Sequence, residues 1–265
     1  MQTTKTPLLA LLLPVLALPL AAQESSPAPE ARGLAIAVEA DNRDDGFHDS
    51  IARLEMVLRN RHGQESRRSL RNQSLEQEND GDKGLVIFDA PADIDGTALL
   101  TFSHKTGDDD QWLYLPALAR VKRISSSNKS GPFVGSEFAY EDITAQEVKK
   151  YRHKWLRDEP CGKLDCFVLE RRPLYEKSGY TRLATWYDKA EYRMQRVDYY
   201  DRKDFRLKSL ALNNYRRYLD RFWKAHELEM TNHQTGKRTV LVFGEHAFGT
   251  GLGKRDFRKR ALDRQ

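Results

Sequence analysis

His226-Glu227-Leu228-Glu229-Met230 opens like the H-E-x-x-H zinc motif, in which two imidazoles one helical turn apart hold the metal. Met230 stands where the second histidine belongs and the segment alternates like a strand, so no zinc site is expected. His48, His62, His104, His153, His233 and His246 are dispersed and read as turn or surface residues. Gly249-Thr250-Gly251-Leu252-Gly253-Lys254 lacks the spacing and the Ser or Thr after lysine of a phosphate-binding loop. Glu137, Glu141 and Asp142 are near enough for acid/base work, but no nucleophile, oxyanion donors or metal ligands accompany them. They are expected to cap a short helix or to pair with Arg120, Lys122 or Arg123, while Phe138 and Tyr140 pack on a sheet. No catalytic residue, metal site or cofactor is expected. Cys161 and Cys166 are the two cysteines; the Gly-containing spacer between them fits a disulfide across a hairpin turn rather than a C-x-x-C redox pair.

These residues sit on strands more than on helices. Leu54, Met56 and Leu58 alternate with Arg53, Glu55 and Arg59; Ala98, Leu100 and Phe102 share one face of a second strand; Trp112 and Tyr114 oppose Leu113 and Leu115 on a third. Further strands are expected over residues 66–75, 85–88, 120–124, 151–155, 166–171, 182–187, 192–200, 205–212, 214–222, 225–231 and 237–243. Helix is expected only near Leu34–Val38, ending about Gly46, and at Thr144–Lys150 with Thr144 as N-cap. About a dozen strands joined by short polar turns make a meandering antiparallel sheet, which must curl, close or be covered on its apolar face. Residues 125–135 form a loop too long for a compact domain without a purpose, and Gly131, Pro132, Phe133, Phe138 and Tyr140 are candidates for a lid or partner loop.

Residues 1–22 read as a secretory signal peptide: Lys5, an apolar run from Leu8 to Leu20 broken by prolines, then Ala21-Ala22. Residues 23–32 read as a flexible tether, 33–248 as one domain, and 249–265 as a basic tail, either an amphipathic segment touching a membrane or partner or a solvated terminus. An exported, soluble periplasmic protein follows. The net charge of +5, with Arg and Lys interleaved among Asp and Glu, allows transient contact with anionic lipid but offers nothing specific for nucleic acid.

The QWLYLPALARVKRI run (Gln111–Ile124) and the GSEFAYEDI run (Gly135–Ile143) resemble the outer-membrane lipoprotein-sorting family, specifically its LolA-like periplasmic carrier branch, over about Gly33 to Phe243. The resemblance implies a mainly β fold, a strongly curved antiparallel sheet forming an incomplete β-barrel with short covering helices, around a cavity for acyl chains. Leu54, Met56, Leu58, Leu100, Phe102, Trp112 and Tyr114 are the expected cavity lining; should Trp112 and Tyr114 face outward, the assignment flips as a set. The implied function is transfer of a lipoprotein or hydrophobic lipid cargo toward the outer membrane, with an inner-membrane exporter of the resistance-nodulation-division type as a further partner. A non-carrying adaptor, binding an exporter subunit by its sheet edge and long loop, is the alternative and predicts a filled core. An envelope hydrolase is disfavoured by the missing catalytic motifs.

Overall fold

Thirteen antiparallel strands form a single sheet whose order joins the first strand to the last and leaves the two strands from the middle of the chain at its edges. In the computed structural model, which describes residues 27–264 and Gln2, these are β1 (Asp49–Arg59), β2 (Glu65–Leu75), β3 (Lys83–Ala90), β4 (Ala98–Phe102), β5 (Asp110–Leu115), β6 (Arg120–Ile124), β7 (Tyr151–Cys161), β8 (Leu164–Pro173), β9 (Arg182–Asp188), β10 (Met194–Tyr200), β11 (Arg206–Tyr218), β12 (Phe222–Asn232) and β13 (Arg238–Phe248). Apart from Gln2, the expected signal peptide lies outside the described residues. Sequential strands pair except β6 with β7, and one long-range pairing, β1 with β13, joins the two halves. The sheet is therefore open between β6 and β7, and residues 125–150 must run from one edge to the other.

Most expected strands form where the period of two places them. Two are corrected: residues 205–212 and 214–222 are not separate strands, because β11 runs through to Tyr218 and the chain turns at 219–221. Asn214, in the left-handed region at φ 57°, marks an irregularity inside β11 that breaks the alternation without ending the strand. The expected helix at Thr144–Lys150 is also absent. Tyr140–Ile143 and Val148–Lys150 are single 3-10 turns instead.

Helix α1 (Pro29–Asp44) starts with proline in its first turn, as helix geometry favours, so it includes four residues read as tether. Gly33, Ile36, Ala37 and Ala40 recur at the spacing of one helical face, and Ile36 and Ala37 pack against Leu169 and Tyr187. A Cβ at Gly33 would lie 2.5 Å from the backbone nitrogen of Trp155, so only glycine lets α1 rest directly on β7.

The two faces of the sheet are covered differently. One face carries the main core, Leu54, Met56, Leu70, Phe88, Leu99, Leu113, Leu183, Val197, Leu210, Met230 and Leu241, with Phe133, Phe138 and Tyr180 packed on it from non-strand segments. α1 lies on this same inner face over β7–β9. On the outer face, Leu75, Leu85, Ile87, Ala98, Leu100 and Trp112 are covered by Phe257 and Leu262 of the C-terminal tail. The tail is thus a docked strap, held at its root by Asp49, which accepts from the Thr250 amide at 2.7 Å. Cys161 and Cys166 form a disulfide across the β7–β8 turn, with Cα atoms 5.8 Å apart.

Candidate functional site: the inner face and its plug

The expected cavity lining divides between the two faces. Leu54 and Met56 belong to the inner core and Leu58 packs at its border, whereas Leu100 and Trp112, with Phe102 and Tyr114 beside them, lie on the outer face under the tail. The reason is the pleat: Leu100 pairs with Trp112 and Leu99 with Leu113, so the inward residues of β4 and β5 are the odd-numbered ones. Alternation separated the two sets correctly; nothing local says which set faces the core.

The segment expected to be a lid is instead a plug. Phe133 and Phe138 are buried against the inner face, Phe133 packing on Phe88 with ring centroids 5.7 Å apart and on Tyr140 at 5.8 Å. Gly131 and Pro132 form its rim, with Pro132 bridged to Ala139 across the tip. Beside the plug, where the β1–β2 hairpin meets the start of β13, an open groove of about 300 Å³ is lined mainly by polar and charged residues, among them Arg59, Glu65, Glu137, Lys237 and Arg238, with Leu58 as its large apolar member.

Polar side chains of the sheet hold the plug from below. Lys208 on β11 donates to Asp142 Oδ2 at 2.5 Å and to the Glu137 carbonyl at 3.0 Å. Arg68 on β2 donates to the Val134 carbonyl at 2.5 Å, and Gln111 on β5 donates to the Tyr140 carbonyl at 3.0 Å. The Glu137 amide donates to Thr239 Oγ1 at 2.9 Å, and Asn232 Nδ2 donates to the Glu137 carboxylate at 2.7 Å. Glu141 accepts from the Gly179 amide and Ser178 Oγ, both at 2.8 Å, and from the Tyr175 hydroxyl at 3.1 Å. Gly179 permits this approach, since a Cβ there would meet Ser130 at 2.7 Å and Glu141 Oε1 at 2.9 Å. Tyr180 donates to Asp142 Oδ1 at 2.9 Å. Burial, reinforced by the charge of Asp142, pushes the Glu141 carboxyl up.

These contacts correct two expectations. Of the two roles expected for these acids, Asp142 takes the capping one, accepting from the Ala139 amide at 2.6 Å at the start of the Tyr140–Ile143 turn, whereas neither it nor Glu141 pairs with Arg120, Lys122 or Arg123; Arg123 bonds Asp110 instead. His153, read as a surface residue, is buried, and so is His226. Sequence reasoning missed Lys208, Arg171 and Gln111 on the inner face. Their signal is a polar residue at an inward strand position next to an inward leucine, Leu210, Leu169 and Leu113 respectively, visible once the inward set is known. Among the described residues no group of His, Cys, Asp or Glu is arranged to hold a metal, and no helix is long and apolar enough to cross a membrane.

A family model described as "Uncharacterized protein" matches residues 80–264. No curated protein matches the chain. The crystal structure of an outer membrane lipoprotein-sorting protein domain from Vibrio parahaemolyticus is 55% identical, with a TM-score of 0.87, covering 88% of this chain and 99% of that one. A DUF1329 family protein from Desulfovibrio piger is 31% identical, with a TM-score of 0.84, covering 89% of this chain and 100% of that one. A LolA superfamily protein from Nitrosomonas europaea is similar in fold, at 20% identity and a TM-score of 0.69, over 86% of this chain and 98% of that one. Identity of 55% over 88% of the chain, with the fold shared over 99% of that relative, places the chain in the outer-membrane lipoprotein-sorting family.

Proposed function

We propose that the protein is a periplasmic carrier that takes the acyl chains of a lipoprotein or lipid on the inner face of its sheet and transfers the cargo toward the outer membrane. The observation that supports this most is that the apolar inner face is closed by a non-strand segment, residues 125–150, rather than by further strands. A closed barrel would have to break a ladder of backbone hydrogen bonds to open. Here opening breaks side-chain contacts and leaves every strand pairing intact. Acyl chains gain about 0.8 kcal/mol per methylene removed from water, enough over one chain to compete with the two phenylalanines that Phe133 and Phe138 supply.

A filled inner face also favours a second reading, the adaptor that binds an exporter subunit through its sheet edge. Native mass spectrometry with lipid extraction, on mature protein purified gently from its host, separates the two. A carrier shows discrete added masses that vanish in Leu58→Trp while its melting temperature holds. An apo mass throughout, with exporter subunits retained on the immobilised protein and lost when β6 is mutated, supports the adaptor.

A further inference from the structure

The outer face gathers cations at one place. Phe102 and Trp112 pack there edge to face, with ring centroids 5.1 Å apart. Lys83, opposite Phe102 in the β3–β4 register, sets its Nζ 4.5 Å from the Phe102 ring, and Lys259 of the strap sets its Nζ 3.8 Å from the Trp112 ring. Arg123 stands opposite Trp112 on the edge strand β6. Lys254, early in the strap, is near enough that its charge, after burial, holds the Lys83 amine below the ordinary lysine range. The carboxylates around this pair are already committed: Asp110 accepts from Arg123 and faces His104, and Asp80 lies 2.6 Å from His104 Nδ1. Among the described side chains, no carboxylate lies within 4 Å of Lys83, Lys254 or Lys259.

The strap brings most of this charge. Residues 249–265 carry six Lys and Arg against two Asp, a net +4 in a chain whose total is +5. Phe257 and Leu262 are each 1% exposed against the sheet, so the seated strap has neither of its large apolar side chains left to insert into a membrane. What it turns to solvent is Lys254, Arg255, Arg258, Lys259 and Arg260. Elsewhere on the sheet exposed cations commonly stand against carboxylates, as Arg67 does against Glu55 and Glu65, Arg157 against Glu159 and Arg238 against Glu229. Such pairs cancel at a distance. Among the described side chains, Arg255 alone of the strap's five has a carboxylate within reach, Asp256 at 3.9 Å, so the fields of these cations add.

We propose that the outer face at β4–β6, with the strap laid over it, is a docking surface for an anionic phospholipid bilayer, held by charge and not by insertion. The cations are long, exposed and spread over a strand edge and a strap. That arrangement suits a continuous layer of headgroup phosphates, whereas the fixed carboxylates of a protein partner need matched positions. β6 is also the edge from which residues 125–150 leave to cross the inner face, so docking there holds the root of the plug against the membrane surface. The surface is separate from the inner face, and it stands or falls apart from the carrier reading.

The test is cosedimentation of the mature chain with sucrose-loaded vesicles of phosphatidylcholine alone and of phosphatidylcholine mixed with phosphatidylglycerol. A Lys or Arg brought to an anionic surface gains about fivefold in partitioning, so the strap's exposed cations, discounted for those turned sideways, predict on the order of a hundredfold preference for the anionic vesicles. Added salt should erase it. Lys254→Gln with Lys259→Gln, and Arg258→Gln with Arg260→Gln, should each cut the preference by about tenfold at an unchanged melting temperature. Lys203→Gln with Lys237→Gln removes as much charge from the exposed turns after β10 and β12 and should leave the preference intact. Equal partitioning onto both vesicles overturns the docking surface, as does a preference that survives salt or both strap variants, or a loss in the Lys203 and Lys237 variant as large as in those of the strap. Binding to neither vesicle overturns it too, and leaves an acidic protein as the partner of these cations.

Discussion

Replacing Lys208 by methionine tests whether the plug is held electrostatically. Lys208 and Asp142 are each 4% exposed at the side chain and stand 2.5 Å apart. Lys208→Met keeps the length of the side chain but leaves the Asp142 carboxylate buried with only the Tyr180 hydroxyl and the Ala139 amide as donors. Removing one partner of a buried ion pair costs about 3–5 kcal/mol, because the surviving charge keeps its desolvation penalty. Adding Asp142→Asn removes that charge while preserving an acceptor for Tyr180, so the double variant should recover to within about 1 kcal/mol of the parent. The coupling energy from the four-protein cycle is then about 3 kcal/mol. Urea unfolding followed by circular dichroism and by tryptophan fluorescence, with coincident transitions, gives the values. Hydrogen exchange adds the location: in Lys208→Met, protection should fall first over residues 125–150 and not in β1 or β8. The reasoning is refuted if the single variant loses less than about 1 kcal/mol, or if the double variant is as unstable as the single, since either shows an unstrained or independently solvated carboxylate.

The tail supplies a second expectation. Phe257 is buried on the outer face, and Lys259 Nζ stands 3.8 Å above the Trp112 ring, so a chain ending at Gly253 should bind a hydrophobic dye and shift Trp112 emission to the red; an unchanged spectrum would show that the strap covers nothing. Asp82 gives a third, because burial first and the neighbouring Glu76 second raise its pKa to about 7. The unfolded chain therefore binds fewer protons than the folded one between about pH 4 and 7, and stability falls as pH rises through that window. Asp82→Asn should flatten that slope and stabilise the protein at pH 8 by on the order of 2 kcal/mol, discounted for the partial exposure of the site. A variant with the parent's slope from pH 4 to 7 contradicts this.

Local chemistry was legible in the residues themselves. Period-two alternation located most strands within a residue or two, as at Leu54–Leu58 and Leu99–Leu113, because strand pleat depends on nearest neighbours alone. The cysteine pair, six positions from end to end of one hairpin, closed as its spacing required. The helix near Leu34 was legible too, though not its start at Pro29. The Gln111–Ile124 and Gly135–Ile143 runs carried the family.

What the tertiary structure decided is where each alternating face points. Leu99 and Leu100 are equally apolar and adjacent, and only the pairing of β1 with β13, nearly two hundred residues apart, curls the sheet so that one becomes interior and the other lies beneath the tail. The same pairing leaves β6 and β7 as the two edges, which obliges residues 125–150 to cross the inner face and turns an apparent surface loop into its filling. The partners of Asp142 and Glu141 follow from that crossing. Ion pairs between residues 66 positions apart, such as Asp142 with Lys208, have no signature along the chain, since what joins them is the closure of the sheet rather than any spacing in the sequence.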